Sequence, residues 1–118
     1  GQIWRYRPSE QEGTEGELQS PGELELFIEP NNTRLLNNAD NLTVAPWGDV
    51  VVCEDRKRSV VRLVGVTPSG GIYTLAHSHM RTELTGVTFS PDGSTLFVNA
   101  QGKGLTLAIT GPFKESIA

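Results

Sequence analysis

At 118 residues the chain has room for one domain or a piece of one, and 36% hydrophobic with 20% charged residues exclude a plainly disordered polypeptide. Fourteen Asp plus Glu against ten Lys plus Arg give a net charge of -4, which leaves no basic footprint for nucleic acid or an anionic membrane and favours a cation or a neutral surface as partner. No apolar run approaches the ~20 residues of a transmembrane helix, and the single cysteine, Cys53, excludes an internal disulfide framework.

Gly1 stands where Met would, and Gln2 to Arg7 run straight into strand-like sequence without the parts of a signal peptide. The expectation is a trimmed chain with sequence missing upstream. Ile3, Trp4 and Tyr6 lie in a β-prone segment over residues 2–7 that Pro8 ends. Residues 9–22 turn to Glu, Gln, Gly, Ser and Pro without apolar period, and are expected to form a surface loop. Leu24, Leu26 and Ile28 then alternate with Glu23, Glu25 and Phe27 as a half-buried strand up to Pro30. A polar connection around Leu35 and Leu36 holds the one short stretch, Asn32 to Asn38, with any helical tendency.

Three hairpins follow. Leu42 to Ala45 and Val50 to Val52 flank Pro46-Trp47-Gly48-Asp49, Val61 to Val66 and Ile72 to Leu75 flank Thr67-Pro68-Ser69-Gly70-Gly71, and Val87 to Phe89 and Thr95 to Val98 flank Ser90-Pro91-Asp92-Gly93. A last apolar segment, Leu105 to Ile109, ends at Gly111-Pro112. Pro46 and Pro91 hold matching places and are 91 minus 46, or 45, residues apart. A period of roughly 40 to 50 residues with four strands per repeat belongs to β-propeller blades. The fold class is therefore all-β, a partial β-propeller of about two to three blades of antiparallel sheet, with a small β-sandwich as the alternative. Such a chain cannot close a propeller alone, and its open edges call for the rest of the propeller or for self-association.

No nucleophile elbow, phosphate-cradling glycine loop, zinc spacing or EF-hand loop is present. What remains is acidic residues at strand ends: Asp40-Asn41, Glu54-Asp55-Arg56 and Arg81-Thr82-Glu83. On an extended segment Arg81 and Glu83 project the same way. Carboxylates suit calcium or ferric iron, and an arginine beside them can grip an oxyanion with two hydrogen bonds. The plain alternative is a solvated charged loop over Glu54-Asp55-Arg56-Lys57-Arg58. Cys53 reads as valine-like core packing, His77 and His79 as a polar loop before Met80, and Trp4 and Trp47 as core or turn packing. Asn31-Asn32-Thr33 and Asn41-Leu42-Thr43 fit the glycosylation pattern, which is too short to carry weight.

The ordered set Asn38-Ala39-Asp40-Asn41-Leu42-Thr43, Pro46-Trp47-Gly48-Asp49, Cys53-Glu54-Asp55, Gly65-Val66-Thr67-Pro68, Glu83-Leu84-Thr85-Gly86, Ser90-Pro91-Asp92-Gly93-Ser94-Thr95-Leu96-Phe97-Val98-Asn99 and Ile109-Thr110-Gly111-Pro112-Phe113 resembles the C-terminal part of PhoX-type alkaline phosphatases. The resemblance covers about residues 1 to 113. It implies that residues 1–118 are the C-terminal portion of a six-bladed propeller that hydrolyses phosphate monoesters with a calcium and iron cluster. By position it implies metal-ligating roles for Glu54 and Glu83, support from Asp40, Asn41 and Asp55, and phosphate binding by Arg81. It also implies a bacterial origin and a periplasmic or secreted location. The sequence departs from the pattern where Arg56-Lys57-Arg58 replaces glycine, and Cys53 does not match the family's bridging cysteine. Further ligands would come from preceding blades, so the chain is not expected to be catalytic alone. Two other functions stay open: a non-catalytic β module for binding or assembly, and a calcium-dependent lactonase-like propeller.

Overall fold

The computed structural model describes residues 1–56 and 60–113, so Lys57 and Arg58 lie outside the described residues. Every long element is a β-strand and every pairing is antiparallel. The strands form three sheets with no closed barrel, in two compact units that divide at Asn31 and Asn32.

In the first unit β1 (Ile3–Arg7) pairs with β2 (Glu23–Ile28). Trp4 stands opposite Leu26 and Tyr6 opposite Leu24. Arg5, opposite Glu25, donates to its Oε2 from Nη2 at 2.7 Å and Nε at 3.0 Å, an exposed pair that contributes little to stability. Trp4 is 51% exposed, which corrects the expectation of core packing. The stretch 9–22 is a surface segment, yet it carries a 3-10 turn at Glu15–Leu18. Thr14 Oγ1 caps it by accepting from the Gly16 N–H, and Glu17 reaches back to the Gly13 N–H.

In the second unit β3 (Ala39–Val44), β4 (Val50–Glu54), β5 (Val61–Val66) and β6 (Ile72–Ser78) make a four-stranded meander in chain order. Strands β7 (Leu84–Phe89), β8 (Thr95–Ala100) and β9 (Leu105–Thr110) make a three-stranded one. The turns follow the sequence: Ala45 donates its N–H to the Asp49 carbonyl at 2.7 Å across Pro46-Trp47-Gly48, where Gly48 takes φ 93. Ser90-Pro91-Asp92-Gly93 is held by Asp92 Oδ1, which accepts from the Ser90 and Ser94 hydroxyls and the Ser94 N–H. The 45-residue spacing recurs in the first strand of each meander, since β3 begins at Ala39 and β7 at Leu84, while their partners Glu54 and Ala100 lie 46 residues apart.

Both sheets turn apolar faces to one core, with Val51, Cys53, Val61 and Leu63 from the first and Leu84, Val87, Leu96, Val98 and Ala100 from the second. Trp47, Phe89 and Phe113 pack against its edge as an aromatic trio, with Trp47 and Phe89 centroids 5.2 Å apart. Strand β7 packs against β3 and β4. Cys53 lies fully buried in this core, as a small hydrophobe would. Residues 33–35 form a turn instead of a helix. His77 belongs to β6 opposite Arg62, not to a loop, because β6 keeps pairing with β5 through polar residues as far as Ser78.

Candidate metal and phosphate site

Two register irregularities build the site. Ala39 faces Glu54 and Asn41 faces Cys53, so Asp40 is the extra residue of a β-bulge at the start of β3. In β7 the register moves between Thr85, opposite Asn99, and Thr88, opposite Phe97. A bulge re-aims the side chains around it. Here the two bulges meet: Asn41 Oδ1 accepts from the Gly86 N–H at 2.9 Å, and Asn41 Nδ2 donates to Thr85 Oγ1 at 3.0 Å and to Asp40 Oδ2 at 2.9 Å. Gly86 has φ 66, a conformation that suits glycine.

Glu83 directly precedes β7. Partial burial, a hydrogen bond shared with the Asp40 carboxyl and the charge of Asp55 hold its pKa above the usual carboxylate range. Asp55, directly after β4, is held at the entry of β3, because its N–H donates to the Asn38 carbonyl at 2.9 Å and its carbonyl accepts from Asn38 Nδ2 at 3.2 Å. The Cys53 thiol below is pushed up to about 11, chiefly by burial and further by Asp40 and Glu83. Asp40, Asp55 and Glu83 thus share one negative neighbourhood.

The other candidates sit differently. Glu54 is fully buried and its carboxylate is taken up by Arg62, whose Nε donates to Oε2 at 2.8 Å and Nη2 to Oε1 at 2.5 Å. Oε1 also accepts from the Asn37 N–H at 2.8 Å. Arg62 is the residue that sequence reasoning missed; its partner is eight positions away and only the register of β4 on β5 could have revealed it. Arg81 lies in the bend after β6 with φ 53. The segment is not extended there, so the alternation that would aim Arg81 and Glu83 alike does not hold. Arg81 is exposed and makes no ion pair among the described residues.

Oxygen donors in excess of positive charge fit a hard cation. Asp40, Glu83 and Asp55 meet that description and Glu54 does not, since both of its oxygens are engaged. Among the described residues no three His, Cys, Asp or Glu side chains converge closely enough to hold a metal ion, so the three carboxylates are a partial set.

Neither a curated protein nor a solved structure matches the chain at a significant level. The model of the family described as Alkaline phosphatase PhoX matches residues 1–104, nearly the whole length and both bulges of the site. The chain belongs to the PhoX alkaline phosphatase family.

Proposed function

We propose that the chain supplies the C-terminal blades of a β-propeller phosphomonoesterase, with β3–β6 as one blade and β7–β9 as part of the next. The observation that carries this reading is the meeting of the β3 and β7 bulges through Asn41, which brings Asp40 to the side of Glu83, whose pKa is raised by partial burial and by the neighbouring Asp40 and Asp55. A cation would offset the negative charge that these carboxyls bring together. Asp40, Glu83 and Asp55 are the residues that would hold calcium or iron, and Asn41 fixes the strand that carries Asp40. When bound, the metals would supply positive charge against the phosphoryl oxygens. Arg81, exposed and without a carboxylate partner among the described residues, would bind the substrate phosphate through two N–H groups. Remaining ligands would come from the rest of the propeller, and a periplasmic or secreted location goes with this reading as an expectation from the family resemblance.

The test is hydrolysis of p-nitrophenyl phosphate by the propeller containing this chain, supplied with calcium and ferric iron. Arg81→Ala should cost roughly a hundredfold in kcat/KM, the scale for losing one charged transition-state contact. Glu83→Gln should lower metal content and activity together. Full activity in both variants would overturn the proposal.

A further inference from the structure

The Glu54 and Arg62 pair does more than neutralise a strand end. Glu54 closes β4 with no exposure, and Arg62 on β5 has 12% of its side chain exposed. After its two bonds to Glu54, Arg62 donates Nη1 to the Arg34 carbonyl at 2.7 Å and Nη2 to the Leu35 carbonyl at 3.3 Å. Arg56 Nη2 donates to the Thr33 carbonyl at 3.0 Å, and its Nε lies 3.5 Å from Glu54 Oε2. With the Asn37 N–H on Glu54, four backbone groups of one loop end on this charge cluster. That loop runs into Asn38, which takes φ 49 and bonds Asp55 twice, and then into the bulge residue Asp40. A carboxylate so engaged can ligate a metal only by leaving a largely buried guanidinium unpaired, which is strongly unfavourable.

We infer that Glu54 is not a metal ligand: with Arg62 it forms a clasp that fixes the 33–37 loop and so sets Asp40 against Asp55 and Glu83, making Arg62 a positioning residue of the carboxylate site. This departs from the role that the family resemblance implies for Glu54, and it rests on reading Asp40 and Glu83 as cation-holding.

The test compares Glu54→Gln, Arg62→Met and the double variant in the full chain. It uses calorimetric titration with calcium chloride, the Tm in EDTA and hydrogen exchange at the Asn37 amide. A clasp predicts that each single change lowers Tm by roughly 10 °C or more, and that the double change costs less than the two together. It also predicts about tenfold faster Asn37 exchange and about tenfold weaker calcium binding in Arg62→Met, the same direction as in Glu54→Gln. A ligand role predicts the opposite split: Arg62→Met frees Glu54 and keeps or tightens calcium binding, while Glu54→Gln abolishes it. That split overturns the inference, as does unchanged Asn37 exchange in Arg62→Met. If a variant does not fold, Arg62→Lys keeps the charge but loses the fork, and should show the same faster exchange and weaker binding. Calcium binding that ignores Glu83→Gln would sink the reading of the carboxylate pair, whereas Asn37 exchange and the Tm cycle would still decide the clasp.

Discussion

Asn41 bears on both the fold and the site, and its removal gives a quantitative test. Asn41→Ala deletes two bonds between sheets, from the Gly86 N–H at 2.9 Å and to Thr85 Oγ1 at 3.0 Å. Each such bond contributes about 1 kcal/mol net, and exposed Gly86 can give its freed N–H to water, so no further desolvation penalty is due. The expected loss is about 2 kcal/mol. With a urea slope of about 1 to 2 kcal/mol/M, the midpoint should fall by about 1 to 2 M at constant slope. The assay is urea unfolding in EDTA at pH 7, so that any contribution of Asn41 to a metal is removed. Asn41→Asp keeps the acceptor for Gly86, so the Gly86 amide should stay protected from hydrogen exchange in that variant and lose protection in Asn41→Ala. A loss below about 0.5 kcal/mol in Asn41→Ala, the level of an ordinary surface substitution, or equal Gly86 protection in both variants, would refute the role of Asn41 in joining the two sheets.

Three further outcomes follow from particular contacts. A Cβ on buried Gly65 would collide with the Tyr73 ring, which is anchored through its hydroxyl on Asp49 Oδ2 at 2.7 Å; Gly65→Ala should therefore cost about 1 to 3 kcal/mol in urea unfolding, and a neutral result would contradict that packing. Cys53, with its thiol pushed up to about 11 and no exposure, should react with a disulfide reagent at pH 8 at least about a hundredfold more slowly in native buffer than in urea, and rapid native labelling would contradict its burial. Glu83 has a folded pKa above its unfolded one, so its contribution to stability is present below the usual carboxylate range and is lost as pH rises through the folded value. Glu83→Gln should accordingly raise the urea midpoint at pH 8 in EDTA but not at pH 4, and an equal effect at both pH values would count against the raised Glu83 pKa.

The strands were legible because their signals are local. Glu23 to Ile28 pairs as a strand, although Leu24 and Leu26 stay exposed where the alternation reads as half-buried, and the proline-glycine turns at Pro46 and Pro91 fall where the chain reverses. What the sequence hid depends on tertiary register. Asp40 points where it does because a bulge displaces it, and Glu54 meets Arg62 only when β4 lies on β5. Arg81 escaped the two-residue alternation because its backbone turns left-handed. The 3-10 turn at Glu15–Leu18 has no apolar period, since caps from Thr14 and Glu17 hold it in place of a core. His77 entered β6 through pairing with β5, although its own neighbourhood is polar. Glu83 with Asp40 was legible as chemistry, while their proximity across two sheets was not.

The most direct test of the carboxylate site is calorimetric titration of the protein with calcium chloride, wild type beside Glu83→Gln, at pH 7.5 after removal of metal with EDTA. A partial donor set predicts binding in the range of about 0.1 to 1 mM for the wild type and none for the variant. Identical titration curves for the two proteins would contradict the site.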